Sequence, residues 1–279
     1  MTSSPPLPPE GNEGYAHVIG DPIAHSKSPI IHRFWLDALG IEAEYTALRV
    51  PRADLDDYVA RERQRAEWRG CNVTMPLKLD ALLLADHATD RAAAAGAANI
   101  LVPRDGKLMA GNSDVGAVMT LVAPLIGKDK PEGIVVLGNG GAARAVLVAL
   151  RYLQVEHVRI QARDMAAALA LAVEFGLSEG PSPFNWPIDL GGLINTTPLG
   201  MADHPALNLD LSAMPTGGWA MDMVTDPTET TLLIQARSEG LKTIDGIAML
   251  VEQAAASFEM FFGKPPPRDR DGALLEMLR

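Results

Sequence analysis

The chain has 279 residues, 47% of them hydrophobic and 21% charged, and a formal net charge of -11. That length suits two domains, each with its own core, and the composition is that of a soluble globular protein. The acidic balance, with no long basic run, excludes a nucleic-acid partner, which needs clustered Lys and Arg; any anionic ligand is left to a few local donors.

Residues 1–14 are rich in Pro, Ser and Glu, with no basic start and no apolar run. They read as a disordered tail and not as a signal peptide. Residues 15–19 form a short apolar run ending at Gly20, as a strand ending in a turn does. Residues 29–39 follow with helical spacing (Ile30, Ile31, Phe34, Trp35, Ala38) and stop at Gly40, a C-cap. Residues 43–50 read as a second strand, and 54–65, with an acidic first turn, as a helix. Residues 71–74 and 98–102 are short strands, and 111–113 a loop. Cys71 is the only cysteine, so there is no disulfide framework and no cysteine-based metal site.

From about residue 118 the pattern changes. An apolar strand at 134–137 is followed by Gly138-Asn139-Gly140-Gly141 and a helix to about Leu153. A strand at 158–161, an Ala-rich helix at 165–175, and strands at 192–195 and 219–223 come next. Strand, glycine-rich turn, helix, strand is half of a doubly wound parallel sheet. A final helix, 246–262, puts Ile247, Leu250, Val251, Ala254, Phe258 and Phe261 on one stripe. No segment offers the ~18 unbroken apolar residues of a membrane span, so a cytoplasmic protein is expected. None of the six histidines has metal-ligand spacing, and no metal is expected.

The glycine-rich turn is the expected cofactor site. Gly138, Gly140 and Gly141 let the backbone approach a pyrophosphate, and the N–H groups of the following helix face its charge. The next strand ends at Ala162-Arg163-Asp164. An acid there suits a free ribose 2′-hydroxyl, and an Arg suits a 2′-phosphate; Asp164 also suits a helix N-cap. Arg163 favours NADP, with NAD the alternative.

Polar residues at strand and helix ends mark a second site. Ser26 and Ser28 put two hydroxyls beside a helix start, which suits a carboxylate or, for Ser28, a plain cap. Asn72-Val73-Thr74-Met75-Pro76-Leu77-Lys78 follows one apolar strand, and Asn99 and Asn112-Ser113-Asp114 lie at or just after others. Ligands bind at the carboxyl ends of parallel strands. A lysine near a carboxylate can supply the proton and the positive charge that a ketone needs on accepting hydride.

Taken in order, these segments resemble the shikimate dehydrogenase family. The matching stretches are 20–32, 70–78, 96–101, 111–114, 137–145, 194–201, 222–233 and 246–263. The resemblance implies an α/β chain with an N-terminal substrate domain (15–114, completed by 246–279) and a Rossmann-type doubly wound dinucleotide-binding domain (115–245). It implies Lys78 and Asp114 as the catalytic pair, with Asp114 also touching substrate. Ser26 and Ser28 would hold the substrate carboxylate, and Thr74, Asn99 and Gln253 its hydroxyls. The cofactor would be lined by Asp90, Gly138, Asn139, Gly140, Gly141, Ala142, Ala162, Arg163, Asp164, Met223 and Gly246.

Three positions depart from the family pattern. Thr225 stands where a substrate-contacting Tyr is usual, Ala162-Arg163-Asp164 replaces Asn-Arg-Thr with Ala167 in place of a further Arg, and Asn112-Ser113-Asp114 replaces Asn-Thr-Asp. The expected activity is reversible NADPH-dependent reduction of 3-dehydroshikimate to shikimate, in one or two copies of the chain. The alternatives are a quinate/shikimate paralogue using NAD and a non-catalytic dinucleotide-binding regulatory protein; the Lys78 and Asp114 pair counts against the latter.

Overall fold

The computed structural model describes residues 14–128 and 132–279. Residues 1–13 of the expected tail lie outside the described residues, and Gly14 already belongs to a strand. In chain order the elements are β1 (Gly14–Gly20), α1 (Ser28–Leu39), β2 (Ala43–Arg49), α2 (Leu55–Glu62), β3 (Trp68–Val73), α3 (Lys78–Leu83), β4 (His87–Ala88), α4 (Asp90–Ala95), β5 (Ile100–Arg104) and β6 (Lys107–Gly111). There follow α5 (Ser113–Val122), β7 (Ile134–Leu137), α6 (Gly141–Tyr152), β8 (Val158–Ala162), α7 (Met165–Phe175), β9 (Ser182–Pro183) and β10 (Gly192–Asn195). Last come β11 (Trp219–Asp222), α8 (Thr231–Ser238), β12 (Lys242–Ile244), α9 (Gly246–Phe262) and α10 (Asp271–Leu278).

These elements form two units: residues up to 113 together with 253–279, and residues 114–252. Both divisions fall inside helices, α5 and α9. In the first unit the sheet order is β2-β1-β3-β5-β6-β4. β1 pairs parallel with β2 and β3, whereas β5 runs antiparallel to both β3 and β6. α1 starts with Pro in its first turn and ends on Gly40 at φ 62, the left-handed turn that glycine adopts without strain. One cluster around Leu55, Tyr58, Trp68, Cys71 and Leu101 lies under α2. Another gathers His32, Trp35, Tyr45, Phe258 and Phe261. The α9 stripe is buried as expected except at Leu250, which is half-buried.

Three local expectations are corrected. The helix read at 54–65 is confined to Leu55–Glu62, after a single 3-10 turn over Arg52–Asp54. Residues 111–113 are not a loop: β6 runs through Gly111 and α5 begins at Ser113. Nor is α9 the last helix, because α10 follows, and Lys27 Nζ donates to the Leu278 carbonyl at its end, 2.8 Å away.

The second unit is a parallel sheet ordered β12-β11-β10-β7-β8-β9. β7, β10 and β11 are four-residue strands buried along their whole length, as strands covered on both faces must be. The strand order reverses direction between β7 and β10. That switch point is where doubly wound sheets open a crevice at their carboxyl ends.

Candidate active site

In the first unit, antiparallel pairing brings three strand ends together. Val73 N donates to the Asn99 carbonyl (2.8 Å), and Asn99 N donates to the Gly111 carbonyl (3.0 Å). Asn99 therefore does not stand at the carboxyl end of a parallel strand. It precedes β5, whose reversed direction sets its amino end beside the carboxyl ends of β3 and β6.

Asn99 is only 2% exposed. Its Oδ1 accepts from Ser113 N (2.8 Å) and its Nδ2 donates to Ser113 Oγ (2.9 Å). Ser113 Oγ in turn donates to Gln253 Oε1 at 3.5 Å. Two of the expected substrate residues, Asn99 and Gln253, thus meet through Ser113, a residue not assigned a role from sequence. Thr74 follows β3 directly, its N–H donating to the Ile19 carbonyl. A Cβ on Gly20 would come within 2.4 Å of its methyl, so the end of β1 packs on Thr74. Lys78 opens α3, half-buried, and its carbonyl accepts from Ala98 N at 2.8 Å, next to Asn99.

Ser26 is half-buried, and Ser28 is buried as the first residue of α1. The cap position belongs to Lys27, which makes no side-chain cap bond, so Ser28 is not the N-cap; its N–H donates to Ser26 Oγ (3.4 Å). Asp114, directly after Ser113, is buried in the first turn of α5 and groups with the second unit. Asp90 is an exposed acid at the start of α4, beside a cap made by Thr89, and belongs to the first unit.

In the second unit, Gly138 follows β7 at φ 105, a conformation strained for any other residue. A Cβ there would lie 2.7 Å from Thr196 Oγ1, beyond the end of β10, so this glycine lets the two sides of the switch point close up. Asn139 is half-buried, and Gly140 caps α6 without a side-chain bond, with open space where its Cβ would stand. The first-turn amides at Gly141 and Ala142 have no capping side chain, the arrangement that receives a phosphate. This turn fits the pyrophosphate of a dinucleotide. At the end of β8, Ala162 is buried, Arg163 is exposed with no ion pair among the described residues, and Asp164 caps α7 through Ala167 N (3.0 Å).

A buried polar hub shapes the neighbouring strand ends. Asp222, fully buried at the end of β11, accepts from Asn195 Nδ2 (2.8 Å), Val224 N (3.1 Å) and Thr230 Oγ1 (2.7 Å). Burial raises its carboxyl pKa above the ordinary value, against the lowering effect of those three donors. Asn195 Oδ1 accepts from both N and Oγ1 of Thr197. Met223 N donates to the Asn195 carbonyl (3.1 Å), and a Cβ on Gly246 would fall 2.0 Å from the Val224 carbonyl oxygen. Met223 and Gly246 are thereby held against one backbone segment, with Thr225 half-buried at its end. One signal for this hub is visible in the sequence, an acid closing an otherwise apolar strand.

The family described as Shikimate dehydrogenase substrate binding domain matches residues 18–101, and Shikimate 5'-dehydrogenase C-terminal domain matches 246–270. A shikimate dehydrogenase (NADP(+)) of Sphingopyxis alaskensis is 44% identical over 268 residues, covering 95% of this chain and 96% of that relative. The chain belongs to the shikimate dehydrogenase family. A second member of the family, from Rhodopseudomonas palustris, is 43% identical over 90% of this chain and 91% of its own. The shikimate 5-dehydrogenase of Thermus thermophilus, solved with NADP(H) and shikimate, is 34% identical and covers 95% of this chain and 100% of its own, with a TM-score of 0.84. The α/β architecture of the family, a substrate domain and a Rossmann-type domain, is the one seen here.

Proposed function

We propose that this member of the family catalyses the reversible NADPH-dependent reduction of 3-dehydroshikimate to shikimate, in aromatic amino-acid biosynthesis in the cytoplasm. The observation that carries the proposal is the 44% identity to an NADP-dependent shikimate dehydrogenase over nearly both full lengths. NADPH, when bound, supplies hydride to the ketone carbon. The residues that would hold it are those of the Gly138 to Ala142 turn, Ala162, Arg163, Asp164, Met223 and Gly246, with Asp90 carried by resemblance alone.

The chain's own groups manage binding and the proton. Ser26 and Ser28 take the substrate carboxylate, and Thr74, Asn99 and Gln253 its hydroxyls. The two bonds between the Asn99 carboxamide and Ser113 fix its orientation. Lys78 gives a proton to the carbonyl oxygen as the alkoxide develops, and takes it back in the oxidation direction. By resemblance to the family, Asp114 is the carboxylate that would partner the ammonium. Thr225, standing where the family usually has Tyr, supports a second reading in which quinate is also a substrate. Shikimate and quinate oxidation, each assayed with NADP+ and NAD+, tests both. Shikimate with NADP+ is expected to be fastest, and absence of shikimate turnover would overturn the proposal.

Two variants test the binding roles. Ser26→Ala combined with Ser28→Ala is expected to raise KM for shikimate far more than it lowers kcat. Contacts remote from the reacting carbon bind ground and transition states alike, so an unchanged KM would remove the serines from the site. Arg163→Ala is expected to weaken NADP+ binding and leave NAD+ binding nearly unchanged, because only the 2′-phosphate offers the guanidinium a charged partner. Asp164 is already engaged as the α7 cap, which supports the assignment to Arg163. Equal losses for both cofactors in a fluorescence titration would count against it.

A further inference from the structure

Tyr45 lies in the middle of β2, the edge strand of the first unit's sheet. Its strand neighbours Glu44 and Thr46 are exposed, yet Tyr45 is 1% exposed. Its ring is stacked on His32, with centroids 3.8 Å apart and planes parallel. His32 is itself enclosed by Trp35, Phe258 and Phe261. Neither of its ring nitrogens has a partner among the described residues, and burial pushes its pKa down to about 3. The imidazole is therefore neutral, a flat platform under the phenol.

The Tyr45 hydroxyl is the only polar part of this stack that is put to use. It donates to Asn72 Oδ1 at 2.7 Å, while the ring that carries it is stacked on His32, one turn after Ser28 in α1. Asn72 continues the path, its Nδ2 donating to the Asn99 carbonyl at 3.3 Å. Ring and hydroxyl of Tyr45 together thus tie α1 to the end of β3 and to Asn99 before β5. A phenylalanine would fill the same volume without the desolvation cost of a buried hydroxyl. The oxygen is kept one hydrogen bond short of Asn99, on a ring held by the helix that Ser28 opens.

We propose that Tyr45 is a positioning residue of the substrate site, setting the spacing between Ser28 and Asn99 so that carboxylate and hydroxyl contacts are made together. The proposal rests on the reading of Ser28 and Asn99 as substrate contacts. Small errors in such spacing weaken binding well beyond the bond that is lost.

The test is Tyr45→Phe, which keeps the ring on His32, compared with Tyr58→Phe. Tyr58 is an equally buried phenol, bonded to His17 Nδ1 at 2.9 Å in the other cluster of the same unit. Tyr45→Phe is expected to raise KM for shikimate roughly three- to tenfold, the effect of a lost neutral hydrogen bond, with kcat and KM for NADP+ within about twofold. Tyr58→Phe is expected to lower Tm and leave KM for shikimate unchanged. Should Tyr45→Phe fail to fold, Asn72→Ala cuts the same path and is expected to raise KM likewise. An unchanged KM in the folded variants overturns the proposal. A KM rise in the Ser26→Ala, Ser28→Ala protein with none in Tyr45→Phe leaves the carboxylate site standing and removes Tyr45 alone. No rise in either removes both.

Discussion

Lys78→Ala is expected to slow shikimate oxidation by roughly 10² to 10⁴-fold, the usual loss when a general acid is removed, while NADP+ affinity changes less than about twofold. The position of the lysine separates this from a loss of structure. Lys78 is the first residue of α3, where the positive end of the helix dipole disfavours a cation. Asp80 is the acid in that first turn, and it is already paired with Arg52 through two bonds of 2.7 Å. A thermal melt run beside the assay separates loss of the ammonium's chemistry from loss of structure. A rate drop below about threefold at saturating substrate, or a loss that follows a fall in Tm, would take Lys78 out of the chemistry.

Gly246→Ala is expected to have the largest effect on stability, about 3 kcal/mol or more, because the new methyl meets backbone and not a movable side chain. Its Cβ would stand 2.0 Å from the Val224 carbonyl oxygen and 2.9 Å from the Met223 carbonyl carbon. That segment cannot yield cheaply, since Met223 N is bonded to Asn195 and Val224 N to Asp222. NADP+ affinity should fall with it if Met223 and Gly246 line the cofactor. Gly272→Ala is the control: it lies in α10 with nothing within 4 Å of its Cβ, and alanine there should add roughly 0.5–1 kcal/mol. Thermal melts that place the two variants together would remove the close approach as the reason for the glycine.

The central strands of the second unit are the most sharply legible part of the sequence, although α8 and β12 of that unit leave no such mark, and the reason is the kind of strand involved. The expected strands at 134–137 and 192–195 and the helix at 165–175 coincide with β7, β10 and α7 residue for residue. Parallel strands buried on both faces announce themselves as unbroken apolar runs between glycines. β6, with Lys107 in it, does not. Its signal is the Asp105-Gly106 pair, both at positive φ, joining the Arg104 and Lys107 partners as a two-residue hairpin turn. A reading of apolar runs alone passes over it. The site divides in the same way. Asn99 stands out as a polar residue flanked by apolar ones, but its alignment with β3 and β6 depends on a strand reversal. The roles of Tyr45, Ser113 and Asp222 come from pairings between distant parts of the chain, which leave no local mark.

The first unit is built from two stretches of chain with the whole of the second unit between them. On a ribosome this fixes an order of events. His32, Trp35 and Tyr45 emerge early, but the Phe258 and Phe261 rings that close over them come from α9. At about 5–20 residues per second, that half-core waits roughly ten to forty seconds for its cover. The intervening unit is contiguous and can complete its sheet in the meantime. The nascent N-terminal segment is thus the natural client of a chaperone, and a nonsense mutation between residues 253 and 258 would leave the whole second unit attached to a permanently open core.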